Sequence, residues 1–221
     1  MSAGCEPAVR HRFVFIRHAE ARCNLQSADA RIDSVSPDSP LTATGEEQAR
    51  LLAAGLPEEL VGARVFCSPM RRAVLTAGAI ADRHGVPLAV DGRLEELRIA
   101  SPLRPALDVA AWDSMLERRL AHPRREALPG VETLLAQRER VADFLLDRHA
   151  GRGRELSTLV VSHAFTIELA INLLLGQTPR MLARWRLRIS NAALHVIEND
   201  YVGGPSRLML VNAKNHLGTL L

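Results

Sequence analysis

"FVFIRHAEA", residues 13–21, runs from an apolar stretch straight into an arginine, a histidine and a glutamate. Phe13 to Ile16 read as a buried strand, and a buried strand normally closes on a turn residue such as Gly, Asn or Asp. Here it closes on Arg17, His18 and Glu20. In open α/β sheets ligands bind beyond the carboxyl ends of the strands, so charge at this point is a signal for a site as well as for a fold.

Working outward, short apolar runs recur at wide intervals. "RFVFI" (12–16), "ARVFC" (63–67), "STLVVS" (157–162), "AALHVIE" (192–198) and "RLMLVN" (207–212) read as strands. Between them lie helical patterns: 44–56, with Thr44 as the expected cap and Glu47 closing a capping box; 71–85, ended by Gly85; 131–151, ended by Gly151; and 165–176, ended by Gly176. This alternation predicts a three-layer α/β/α fold with a mostly parallel central sheet. One domain over 1–221 is expected, with the Pro- and Arg-rich stretch 97–130 as a short cap or insertion over the active site.

Composition is consistent with that reading. The chain has 221 residues, 47% of them hydrophobic but only 4% aromatic, so the core is built mainly of Leu, Val, Ile and Ala. Cys5, Cys23 and Cys67 are odd in number and lack ligand spacing, which argues against a disulfide scaffold or zinc site and for a cytoplasmic location. No apolar run precedes Cys5 and none is long enough to span a bilayer, so neither anchor nor membrane partner is expected. The net charge of +3 comes from arginines scattered among acids, without the basic stripe that nucleic-acid binding calls for.

Three strand-to-helix junctions bring "RHAE", "CSPMRRA" and "SHAF" to the same end of the sheet. They deliver His18, His163, Arg17 and Arg72 together. A lone histidine after a strand is commonly a packing residue, but this convergence points to a site. Two guanidinium forks at one spot match a phosphate. Beside such cations a histidine is held neutral, with a ring nitrogen left to attack phosphorus. Phosphoryl transfer asks mainly for positioning and charge neutralisation, which arginines and a second histidine supply without metal, and then for a carboxylic acid to protonate the leaving oxygen.

With "RHAEARCN", "DSPLTATGEEQA", "CSPMRRAVLTA", "RLEEL", "LPGVET", "VVSHA" and "ISNAALHVIE" in this order, the sequence resembles the histidine phosphatase superfamily, or phosphoglycerate mutase-like family, over residues 13–198. The resemblance implies that His18 becomes the phosphohistidine. Arg17, Arg72 and His163 would form the phosphate pocket, Asn24 would line it, and Glu96 would be the acid with Glu95 its solvated neighbour. Thr42, Gly45 and Asn191 would be supporting residues, and Glu132 would steady the pocket from outside. Glu20 is open between fixing its loop and touching substrate. Two departures stand out: Ala19 and Ala164 replace the usual glycine after each histidine, and "EELR" is not followed by the G-x-x-E-G of many members.

The expected activity is metal-independent phosphomonoester hydrolysis through phosphohistidine, without a cofactor, on a small phosphorylated substrate; self-association into a homodimer is left open. A mutase is the alternative, though 97–127 is short for a cofactor-dependent one. A catalytically silent phosphate-binding module is a rival from another class. A metal hydrolase is disfavoured because no helical His pair of the HExxH kind occurs. "AAWDSMLERRL" reads as a solvated helix with Trp112, Met115, Leu116 and Leu120 on one face; the alternative is that some of Arg98, Arg104, Arg118, Arg119, Arg124 and Arg125 meet an anionic leaving group.

Overall fold

The computed structural model describes residues 11–25, 38–62, 64–100, 109–150, 157–200 and 204–218; Cys5 and Arg104 lie outside them. The strands are β1 (His11–Arg17), β2 (Val65–Cys67), β3 (Leu88–Val90), β4 (Ser157–Ser162), β5 (Leu194–Asn199) and β6 (Ser206–Ala213). They form one sheet in the order β3-β2-β4-β1-β5-β6. β1 pairs parallel with β4, and β2 parallel with both β4 and β3. The β1–β5 and β5–β6 pairs are antiparallel, so the sheet is mostly parallel with one antiparallel flank.

The helices are α1 (Ala43–Gly55), α2 (Glu58–Val61), α3 (Arg71–His84), α4 (Val109–Ala121), α5 (Leu134–Ala150) and α6 (Ala164–Leu174). Strand alternation sorts them into layers. Val14 and Ile16 of β1 pack with Leu52 of α1 and Ile80 of α3 on one face. Phe13 and Phe15 turn to the other, against Phe144 of α5 and Ile171 of α6. All four β1 residues are at most 1% exposed, and full burial of each such side chain contributes roughly 1.5–3 kcal/mol. A double-sided apolar strand is what a three-layer α/β/α arrangement demands. Within 97–130, Leu97, Ile99 and Met115 join Val131 in a smaller apolar cluster that also takes in Trp112 and Leu116 of α4.

Several boundaries differ from the sequence reading. The cap of α1 is Thr42, not Thr44: Thr42 Oγ1 accepts from Gly45 N at 3.0 Å. Glu47, expected to close a capping box, instead pairs with Arg50 at 2.6 Å. Gly45 is required here because a Cβ would fall 1.9 Å from the Glu20 carbonyl oxygen, so the loop after β1 lies directly on the first turn of α1. α5 begins at Leu134 and not at 131, since Val131 bridges to Ile99 and Thr133 Oγ1 receives Ala136 N at 3.1 Å. β5 begins at Leu194 because Ala192, at φ +53°, holds a left-handed turn and donates its N–H to Arg17 O at 3.0 Å. β3 was not anticipated.

Candidate active site

Arg17 ends β1 and His18 follows it; Arg72 lies in the first turn of α3; His163 caps the N-terminus of α6. The four line one cavity of about 210 Å³ together with Asn24 and Glu96. Two helices thus start at the cavity, and their N-terminal N–H groups and dipoles favour an anion there. The His18 and His163 rings are 5.1 Å apart.

The hydrogen bonds fix the protonation pattern. His18 Nδ1 lies 2.8 Å from Ala19 O, which can only accept, so Nδ1 carries the hydrogen. Arg72 Nε donates to His18 Nε2 at 3.0 Å, so Nε2 presents its lone pair. Burial first, then Arg72 and Arg17, hold the His18 pKa well below the usual imidazole range. The same causes, burial and then Arg72, depress His163. Both rings are 2% exposed or less and neutral near pH 7.

Donors remain unspent. His163 Nε2 lies 2.8 Å from Ser68 Oγ, and its Nδ1, buried without a partner, is a donor in the tautomer where Ser68 gives its hydrogen to Nε2. Arg17 spends Nη1 on Ile189 O at 2.7 Å and keeps a buried Nε unpartnered, and burial lowers the pKa of this guanidinium. Asn24 Oδ1 accepts from Ala21 N at 3.0 Å and Asn191 Nδ2 at 3.2 Å, which leaves its amide hydrogens to offer. Buried unpaired donors cost stability, so a site that concentrates them is built for an acceptor-rich ligand.

Glu96 and Glu95 part company. Glu96 Oε2 accepts from Phe165 N at 3.1 Å in the first turn of α6, and Oε1 from Leu97 N at 3.1 Å. Glu95 Oε2 instead receives Arg98 Nε at 2.6 Å at the surface. The loop bearing both is clamped from behind: Arg140 donates to the carbonyls of Arg93, Glu95 and Glu96 while held by Glu132 at 2.8 Å. Asn191 Nδ2 donates to His18 O at 3.0 Å. Glu20 accepts from Thr42 Oγ1 at 2.6 Å and is absent from the cavity wall, so its contacts are those of a loop brace.

The sequence profile of the histidine phosphatase superfamily (branch 1) matches residues 13–213. The chain belongs to the histidine phosphatase superfamily. A relative, the 5''-phosphoribostamycin phosphatase of Niallia circulans, is 37% identical over 210 residues, 94% of this chain and 99% of that one. A Yersinia enterocolitica protein named "Probable phosphoglycerate mutase GpmB" is 31% identical over 195 residues, 86% of this chain and 85% of its own. The alpha-ribazole phosphatase of Shigella flexneri has the same fold, with a TM-score of 0.68 at 22% identity over 92% of this chain and 96% of that one.

Within this histidine phosphatase fold, the far wall of the cavity comes from the segment expected as a cap, though the sequence did not single out Arg119 from the other five arginines there. Trp112, Leu116 and Arg119 of α4 line it, with Phe165 of α6. Arg119 is 0% exposed, stacks over Phe165 at 5.3 Å, and has a buried, unpartnered Nη1. Burial brings its pKa down to about 10. Arg98, Arg118, Arg124 and Arg125 are exposed, so the solvated-helix reading holds for those and fails for Arg119. A signal existed: Arg119 falls seven residues after Trp112 and four after Met115, on the apolar face of the helix.

Proposed function

We propose that this protein hydrolyses phosphate monoesters through a phosphohistidine at His18. The observation that carries the proposal is the neutral, buried His18 ring whose Nε2 lone pair meets Arg72 in a cavity lined by unspent donors. Arg17, Arg72, His163 and Asn24 receive the non-bridging phosphate oxygens, and Arg72 shifts its Nε–H from the ring to one of them. Nε2 then attacks phosphorus, the bond to the leaving oxygen breaks, and Glu96 gives that oxygen its proton. In the second half Glu96 takes a proton from water, the resulting hydroxide attacks phosphorus, and the P–N bond breaks to restore His18. Charge is neutralised by groups already in place, which is where most of the acceleration in such reactions arises.

The substrate we infer is a small phosphorylated molecule whose leaving group meets Trp112, Phe165 and Arg119. The relative named for 5''-phosphoribostamycin covers nearly the whole chain, which supports hydrolysis over transfer and puts that compound first among candidates. The residues 97–130 act in this reading as a cap that shapes the leaving-group wall. A panel of phosphate monoesters including 5''-phosphoribostamycin, with free phosphate as readout, tests it. Release of stoichiometric phosphate is the expected result; phosphate retained on an isomerised product would establish a mutase instead.

A further inference from the structure

Gln137 of α5 is 0% exposed, and its amide joins two groups of the cavity wall. Oε1 accepts from Arg119 Nη2 at 2.8 Å. Nε2 reaches Thr166 Oγ1 at 3.2 Å and Glu96 Oε1 at 3.3 Å. Thr166 gives its hydroxyl hydrogen to Glu95 O at 2.7 Å, so toward Gln137 its oxygen is an acceptor. The sense of the amide is set from the far end. A guanidinium only donates, so Gln137 must show oxygen to Arg119 and nitrogen to Glu96. Flipped, it would set donor against donor at Arg119.

The terminal torsion of a glutamate is broad, so nothing covalent decides which of its oxygens carries the proton. Hydrogen-bond partners must decide it. At Glu96, Oε1 accepts from Leu97 N at 3.1 Å and Gln137 Nε2 at 3.3 Å; Thr166 Oγ1, 3.2 Å away, has given its hydrogen to Glu95 O and is no donor to it. Oε2 meets Phe165 N at 3.1 Å.

We propose that Gln137 is a positioning residue for proton transfer: its amide holds Glu96 Oε1 as an acceptor and so reserves Oε2 for the proton that goes to the leaving oxygen. Arg119 fixes the sense of the amide, so the cation on the leaving-group wall and the acid are joined through one side chain. The proposal rests on Glu96 being the proton donor.

The test compares kcat and KM on glycerol 2-phosphate, whose alkoxide needs a proton, with p-nitrophenyl phosphate, whose leaving group does not. Gln137→Met keeps the unbranched shape and removes the amide. Its kcat/KM on glycerol 2-phosphate should fall roughly tenfold to hundredfold, through kcat with KM little changed, while kcat/KM on p-nitrophenyl phosphate stays nearly intact. Added to Glu96→Gln it should cost nothing further. Equal losses on both substrates, a raised KM, or losses that multiply in the double variant would overturn the proposal and leave Gln137 a packing residue. Gln137→Glu guards against a folding failure, since its carboxylate still pairs with Arg119 but when ionised has no hydrogen for Glu96. It should fold and show the same alkyl-selective loss; wild-type turnover would overturn the proposal. If Glu96→Gln alone loses kcat/KM equally on both substrates, the acid assignment falls on its own account, because that ratio ends at departure of the leaving group and leaves out the later attack of water. The double variant then still decides whether Gln137 and Glu96 act as one unit.

Discussion

Arg72 donates its Nε–H to Nε2 of His18 across 3.0 Å, although both are cationic residue types and both are buried. An arginine cannot accept a hydrogen bond, so the contact requires a neutral imidazole with its lone pair on Nε2. Burial first, and then this contact, keep the histidine unprotonated. The approach of α3 to the end of β1 makes the contact possible: Ala19 N donates to Thr76 Oγ1 at 3.0 Å, tying the loop after β1 to the helix that bears Arg72.

Arg72→Ala should therefore lose turnover heavily. On the scale of a lost preorganised donor the cost is about 2.7–4 kcal/mol, or roughly a hundredfold to a thousandfold in kcat/KM. Arg72→Lys should recover little, because one ammonium cannot reproduce a planar fork. Steady-state kinetics on p-nitrophenyl phosphate measure this, and near wild-type rates in Arg72→Ala would remove Arg72 from the phosphate pocket.

The two adjacent glutamates make opposite predictions. Glu96→Gln should lose far more kcat/KM on an alkyl phosphate than on an aryl phosphate, since only the alkoxide needs a proton to depart and kcat/KM does not include the later attack of water. Glu95→Gln removes a surface contact with Arg98 and should change either rate by less than about twofold, as expected for an exposed ion pair. Competing rate measurements on the two esters separate them. A leaving-group-dependent loss in Glu95→Gln would exchange their roles.

How much of this was legible in the sequence depends on whether the decisive contact is local. Arg17, His18, Arg72, His163 and Glu96 stand at strand ends or in a recognisable block, and the structure brings them to one cavity. Gln137 and Ser68 act through partners far along the chain, so no local pattern marks them, whereas Arg119 was marked only by its place on the apolar face of α4. β3 escaped because three residues at a sheet edge, two of them exposed, are too short to show a period. Thr42 outcompeted Thr44 as a cap because its N–H is also drawn to Glu20 O at 3.0 Å, a tertiary contact that propensity does not contain.

Stability should fall as the pH is lowered through the histidine range. Burial lowers His195 to about 4, and His18 and His163 are likewise depressed. Between the folded and unfolded values the unfolded chain binds protons that the folded chain refuses, so stability rises with pH there. It is complete above about pH 6.5 and is lost as the pH falls toward 4, at about 1.4 kcal/mol per unit for each such group. His195→Gln keeps an acceptor for Asn212 N and removes one titrating group. Urea unfolding between pH 6 and 5 should show a slope shallower by about that amount than wild type, and an unchanged slope would mean that His195 is not held neutral.

The proposed covalent bond to His18 can be trapped chemically. Brief mixing with a ³²P-labelled phosphate monoester, followed by rapid quench in base, should trap label on the protein that survives alkali and is released by acid, as a phosphoramidate is. Peptide mapping should place it on His18, and His18→Ala should carry none. Undiminished label in His18→Ala, or turnover by that variant at the wild-type rate, would contradict the account.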